Sequence, residues 1–365
     1  MKSVSLLLVI VTMLISVEPL LAQYSSKKVM TKHDAYTDSI KSTEYNRIFP
    51  ILGSGAYKKG FDIPYPIGVM VNYFVGQQGI VLEDMKLGFT SAYNDSSNLP
   101  LTDISDNMEF GENSNFTQSV NVRPDIWILP FLNIYGIFGI GNSKTDVMIN
   151  SIKVDDQVLE LNINSNVDQS VTTAGFGVMG AAGLGPVWLS VDANFTWNKP
   201  ELVEKSTYVS ILGLRMGHTF TFKSKPTSNI GVWIGGMRLK MQTETAGAIK
   251  MADALPGEFW SKKDSIVGEY NSWFSNLTPA QQAIMEKTTI HSIFSELETH
   301  DGESTVHYSM NKQTAQLWNG IIGLQYQINK SWMIRTEGGI IGDRKSFLLS
   351  LNYRFLGPKR RDTRI

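Results

Sequence analysis

The side chains able to do chemistry in this chain recur as ionisable or amide residues within short runs whose alternate positions are apolar. Arg123 and Asp125, Asp192, Arg215, Arg238 and Lys240, Gln325, Arg335 and Glu337, and Asn352 and Arg354 all occur in such runs. A period of two places alternate side chains on opposite faces of a strand, so each run turns one face to oil and the other to these polar groups. An enclosed row of that composition can do two things. It can draw small anions or anionic head groups into a lumen by a focused field. It can instead fill a narrow interior with salt bridges and hydrogen bonds, because a buried charge needs a partner. Carboxylates stand near most of the basic groups, so a packed interior is the first expectation and a cationic lumen the second.

Catalysis finds less support. A hydrolase needs a histidine beside a nucleophile or among metal-binding carboxylates, and the histidines are His33, His218, His291, His300 and His307. His218 falls on an outward row beside Phe220, the place of an interfacial side chain. His291, His300 and His307 share a long insertion with Glu296, Glu298, Asp301 and Glu303, at spacings that match no metal-ligand pattern. No catalytic residue, metal site or cofactor is expected.

The elements that must position the polar row follow from the whole chain. Its 365 residues include no cysteine, 31 glycines, 13 tyrosines, 17 phenylalanines and 8 tryptophans, with 18 % charged residues and a net charge of −1. That charge content is below the roughly 25 % of soluble domains, yet a mean hydropathy of −0.10 is far too low for a bundle of apolar helices. Near-neutrality removes the electrostatic case for nucleic acid, and the lack of cysteine removes disulfide scaffolds, zinc ribbons and thiol nucleophiles. Met1-Lys2, the apolar stretch from Val4 to Val17 and the Ala22-Gln23 junction have the layout of a cleaved signal peptide, residues 1–22.

Alternation then repeats along the chain. Outward Phe347, Leu349, Leu351, Tyr353 and Phe355 alternate with Ser350, Asn352 and Arg354, and residues 187–197, 208–222, 316–328 and 332–341 behave alike. In residues 231–242 the same logic puts Trp233, Met237, Leu239 and Met241 outward against Arg238 and Lys240. Trp197, Trp233, Trp318, Tyr326, Trp332, Tyr353 and Phe355 are expected in interfacial girdles. Segments near the ~9–11 residues of a tilted membrane strand, apolar on one row and polar on the other, predict an all-β transmembrane antiparallel up-and-down β-barrel. Short turns and long loops alternate strictly, which gives ten strands, the first at 67–78, with loops 143–169 and 243–311 on the outer side. A count of twelve follows if residues 81–89 form a separate strand matched by another within 45–60. The chain then divides into a periplasmic N-terminal segment (23–62), a barrel (63–355) carrying a helical extracellular insertion (244–312), and a basic tail (356–365). Within the insertion, Thr278-Pro279 marks a helix start, with Thr as cap and Pro at the first position, running on from Ala280 to Leu297. Counting from the turns sets Arg335 between Gln325 and Asn352.

The segments 123–136, 215–220, 231–237 and 337–355 resemble a family of uncharacterised outer-membrane β-barrel proteins of Gram-negative bacteria, and the likeness extends over most of the chain from about Pro66 onward. The Ala22-Gln23 junction is similar to that of exported proteins of the Bacteroidetes group. The resemblance implies the barrel fold, an outer-membrane location and, as partners, outer-membrane lipid and the barrel-insertion machinery; it brings no activity. The expected function is a narrow channel or binding pore for a small anionic solute. A closed structural or surface-recognition barrel and a membrane-embedded lipid-modifying enzyme are the alternatives.

Overall fold

The computed structural model of the protein describes residues 34–90, 101–202, 206–222, 224–242, 244–255, 257–299 and 302–360. The expected signal peptide, the start of the N-terminal segment and the last five residues of the basic tail lie outside them. In chain order the described elements are helices α1 (Asp34–Ser42) and α2 (Gly53–Lys58), strands β1 (Ile67–Thr90), β2 (Thr102–Asp103), β3 (Met108–Phe110), β4 (Asn113–Leu129), β5 (Leu132–Val154), β6 (Gln157–Leu184), β7 (Val187–Pro200), β8 (Thr207–Phe222), β9 (Lys225–Gln242) and β10 (Glu244–Lys250). Helices α3 (Met251–Ala254), α4 (Gly257–Ser275), α5 (Pro279–Met285) and α6 (Thr289–Thr299) follow, then strands β11 (Thr305–Thr314), β12 (Trp318–Gln327), β13 (Trp332–Ile341) and β14 (Lys345–Phe355).

Ten of these strands close into one antiparallel wall, in the order β1-β14-β13-β12-β9-β8-β7-β6-β5-β4, with β1 pairing both β14 (Ile67↔Phe355) and β4 (Ile67↔Ile126). Closure leaves the spanning strands without a free edge, as a sheet in lipid requires. The polarity is the reverse of a soluble protein's. Ile140, Ile234 and Phe138 on the outside are 69 %, 58 % and 57 % exposed, while Asn72, Ser350 and Asn352 inside are each 1 % exposed. Among the described residues no helix is long and apolar enough to cross a membrane; the strands form the spanning wall.

β1 runs unbroken through residues 81–89, and the 45–60 region holds helix α2, so the wall has ten strands and not twelve. The 143–169 segment is not a loop. β5 and β6, of 23 and 28 residues, continue as a paired hairpin to Val154↔Gln157. Beyond the wall the pattern inverts: Leu161, Ile163 and Val167 face inward and Glu160, Asn162 and Asn164 outward. β10 and β11 pair with each other, and β11 with the far half of β1. The helices α3–α6 close over this projecting sheet, burying Met251, Phe259, Tyr270, Met285 and Phe294 against Leu87, Ile152 and Ile163. The expected helix at 280–297 is present as two, α5 and α6, and α4 is a further helix the alternation did not announce.

At the opposite, short-turn end, the N-terminal segment is fastened across the barrel. Ile51 N–H donates to Ile128 O at 2.9 Å, Trp127 N–H to Pro66 O at 2.8 Å, and Arg360 N–H to Asn46 O at 2.7 Å. Lys330 Nζ lies 2.8 Å from Asp62, which also accepts from Tyr36 Oη at 2.7 Å. Burial depresses the Lys330 ammonium, but the charge and hydrogen bond of Asp62 together with the Tyr57 and Tyr36 phenols hold the group above its usual range; burial and Asp62 push the Tyr36 phenol up.

The start of α5 carries a full capping box, Thr278 accepting from Gln281 N–H and Gln281 reaching back to the cap. Replacing Thr278 by Ala removes one half of it and is expected to cost about 1 kcal/mol. Hydrogen exchange should show that loss in α5 with β12–β14 unchanged.

Candidate functional site

The inward row converges on one cluster at mid-barrel. Arg215 on β8 reaches across the lumen to Glu337 on β13 through two bonds, Nε to Oε2 at 2.6 Å and Nη2 to Oε1 at 2.9 Å, and its Nη1 pairs with Asp192 on β7. Arg335 Nη2 donates to Glu337 Oε2 at 2.9 Å, and Trp233 Nε1 donates to the same oxygen at 2.8 Å. The Arg335 guanidinium also lies 4.8 Å from the Trp233 ring centre, in cation–π range. Two cations thus face two carboxylates, and the bidentate Arg–Glu geometry is the strong form of such a pair.

The indoles fit because glycines stand beside them. Trp233 is flanked in register by Gly217 on β8 and Gly323 on β12. A Cβ at Gly323 would overlap the Trp233 indole, and one at Gly217 would overlap Trp188. Trp188 Nε1 donates to Thr219 Oγ1 at 3.1 Å, and its ring centre lies 6.0 Å from that of Trp233.

A second layer lies nearer the short-turn end. Arg354 Nη2 pairs with Asp125 Oδ1 at 2.8 Å, and Arg354 Nε donates to Tyr65 O at 2.7 Å, tying β14 to the stretch that leads into β1. Asn133 donates to Asp125 at 2.7 Å. Arg123 stacks on Tyr135 at 3.9 Å, and the Tyr135 hydroxyl donates to Asn194, which donates to Asp192. Gln325, Gln327, Asn352, Trp188 and Trp233 are buried between and around the layers. The interior below Arg215 is therefore filled with side chains.

Above the cluster lies a cavity of about 390 Å³, lined among others by Asn115, Thr117, Ser119, Asn194, Ile211, Met237, Leu239 and Ser346. Among the described residues, five cations (Arg123, Arg215, Lys312, Arg335, Arg344) and two carboxylates (Asp192, Glu337) line it. Arg344 stands out. It is 4 % exposed, its Nε donates to Gln78 Oε1 at 2.8 Å, and Nη1 and Nη2 have no hydrogen-bond partner among the described residues.

Nine of the eleven candidate residues thus face inward, and two do not. Arg238 and Lys240 pair in register with Leu212 and Ser210, on the outer row, while Trp233, Met237, Leu239 and Met241 face inward. Two features make β9 misleading: its inner row is apolar, and its two cations stand near the outer rim, where long stems carry charges from the lipid-facing row toward water. Trp233 accordingly leaves the expected girdle. Arg335 faces Gln325 as expected but Ser350, not Asn352, on its other side; Asn352 faces Met333. Lys312 and Arg344 were missed because they lie outside the clean alternating runs. The registered glycines were the available signal for an inward Trp233.

The three histidines among the described residues are separately engaged. His218 Nδ1 lies 2.5 Å from Pro186 O and its ring packs on Phe220; His291 Nδ1 lies 3.0 Å from the Tyr270 hydroxyl; His307 Nε2 lies 2.5 Å from Thr90 Oγ1. His300 and Asp301 lie outside the described residues, and among the described ones no three metal-ligating side chains converge.

A closed ten-stranded wall, apolar outside and charged within, is the fold of an outer-membrane β-barrel. Among solved structures it is similar to the β domain of the Bordetella autotransporter BrkA (8 % identity over 80 % of this chain and 100 % of that one, TM-score 0.34). It is similar also to the translocator domain of the autotransporter NalP from Neisseria meningitidis (11 %, 79 % and 89 %, 0.31) and to the transport unit of the autotransporter AIDA-I from Escherichia coli (8 %, 89 % and 99 %, 0.32). At such identities the likeness concerns the fold alone. No protein-family model and no curated protein matches the chain.

Truncating Glu337 to Ala leaves Arg215 and Arg335 without their shared carboxylate and is expected to cost about 3–5 kcal/mol in urea unfolding from lipid vesicles. Arg238→Ala and Lys240→Ala, on the outer row, should stay within about 0.5 kcal/mol of the wild type.

Proposed function

We propose that the protein is an integral barrel of a Gram-negative outer membrane whose lumen is a binding pore for a small anionic solute. In this reading residues 1–22 direct export, the short turns face the periplasm, and the helical insertion faces outside. The solute enters from the insertion side and comes to rest above the Arg215–Glu337 layer. The observation that carries the reading is Arg344, a buried guanidinium on the cavity wall whose two terminal nitrogens lack partners among the described residues. A buried donor left unpaired is costly, and a charged one more so, so an anion within reach of it gains charge-assisted bonds that water in bulk does not offer. The excess of cations over carboxylates in the lining adds a favourable field. The barrel binds and, in this reading, does no covalent chemistry.

The filled lower interior favours a second reading, a closed structural barrel, and the two separate by conductance. The Trp188→Ala, Trp233→Ala double variant removes the indoles that occupy the lumen, and heat-modifiable gel migration verifies its fold. In planar bilayers it is expected to open with anion preference, and adding Arg344→Glu should weaken or reverse that preference. A silent or cation-preferring double variant would overturn the pore reading in favour of the closed barrel.

A further inference from the structure

Beyond the polar cavity, toward the helices, lies a second chamber of about 230 Å³. Its wall is apolar: Leu82, Val147, Ile163 and Met310 from the projecting sheet, Ile293 and Phe294 from α6. Protein interiors pack with few voids larger than a water molecule, and a dry apolar void of about 150 Å³ is already enough to take up benzene. Lys312 and Gln169 line both this chamber and the polar cavity, so the two spaces adjoin at those side chains. Lys312 Nζ donates to Thr145 Oγ1 at 3.0 Å there. The lumen therefore presents Arg344 and Lys312 on the wall of one cavity, and an oily compartment that adjoins it at Lys312 and Gln169.

We infer that the solute is a single-chain amphiphile with a small anionic head, its head held between Arg344 and Lys312 and its hydrocarbon tail in the chamber under α6. This rests on the anion-binding reading and adds the tail to it. A chamber of this size takes one chain or one ring, and a two-chain membrane lipid is too large for it. The projecting sheet explains how such a compartment exists outside the membrane: only where the inner row turns from polar to apolar, beyond Gln169, can a tail be shielded from water by protein alone. The burial of Lys312 pulls its ammonium down from its usual range, to about 8.

The test is calorimetric titration of the full-length barrel in lipid nanodiscs, against empty nanodiscs, with acetate, hexanoate, octanoate, decanoate and decanol. Affinity is expected to rise from hexanoate to decanoate by about fourfold per buried methylene. Ile293→Trp, which fills the chamber from the helix side, and Val147→Phe, which fills it from the sheet side, should each weaken decanoate at least tenfold and leave acetate unchanged. Arg344→Gln with Lys312→Met should weaken every carboxylate and leave decanol unchanged. Carboxylates that bind with no dependence on chain length, unaffected by either filling variant, would overturn the tail site and leave the anion reading standing. Decanol binding as tightly as decanoate, with the cation variants silent, would overturn the anion reading. No binding by any probe would overturn both.

Discussion

The carboxylate of Glu337, 3 % exposed at the centre of a lipid-embedded wall, cannot stand alone. A lone charge in that setting costs more than any packing gain returns, so it has to be matched by cations that are themselves held in place. Arg215 supplies the match from β8, three strands round the wall, Arg335 from the same strand as Glu337, and Asp192 pairs with the remaining nitrogen of Arg215. The reach of one arginine side chain thereby ties β8 to β13 at that level. Trp233, bonded to the same carboxylate, and Trp188 beside it then occupy the space that remains, and the glycines at 217 and 323 let the wall close around the indoles. A polar cavity begins above this layer, and a packed interior lies below it.

From that level outward, one geometric fact organises the rest. Along β6 the same row of side chains, from Thr173 to Leu161, faces inward throughout, so the face that lines a polar lumen in the membrane also lines what encloses the strand beyond it. β1, by contrast, switches rows at its register shift between Glu83 and Lys86. In β6 the inner row runs from Thr173 and Val171 through Gln169 to Val167, Ile163 and Leu161, changing from mixed to oily where the outer row changes from apolar to charged and amide side chains. Outside the membrane the oily row needs a cover, and helices α3–α6 provide it. The insertion is thus a consequence of the strand extension as much as an addition to it, and the two cavities with Lys312 between them are the space left where the two regimes meet.

The sequence was readable where the membrane forces the alternation to be strict. β14, β13, β8 and β7 carry apolar outer rows and polar inner rows, and Asp192, Arg215, Arg335, Glu337 and Arg354 were placed inward from that alone. It misled in β9, where both rows contain long apolar side chains: the rule that polar faces in put Arg238 and Lys240 in the lumen, whereas the inner row there is Trp233, Met237, Leu239 and Met241. The extended hairpin of β5 and β6 was hidden for the opposite reason. Its outward Glu160, Asn162, Asn164 and Asp168 have the composition of a loop, and only the inversion of the pattern marks them as strand. Arg344 and Lys312 could not be placed at all, because their significance depends on cavities formed by strands distant in sequence.

The proposed access to the polar cavity from the insertion side, with the interior packed at and below the Arg215–Glu337 layer, is tested most directly by labelling, since the chain has no cysteine of its own. Ser346 lines the cavity above the layer and Gln327 faces inward below it. With each replaced singly by cysteine, and a membrane-impermeant maleimide added from the insertion side of vesicle-embedded barrels, the account predicts rapid modification of Ser346→Cys and protection of Gln327→Cys. Equal rates at the two positions would contradict it.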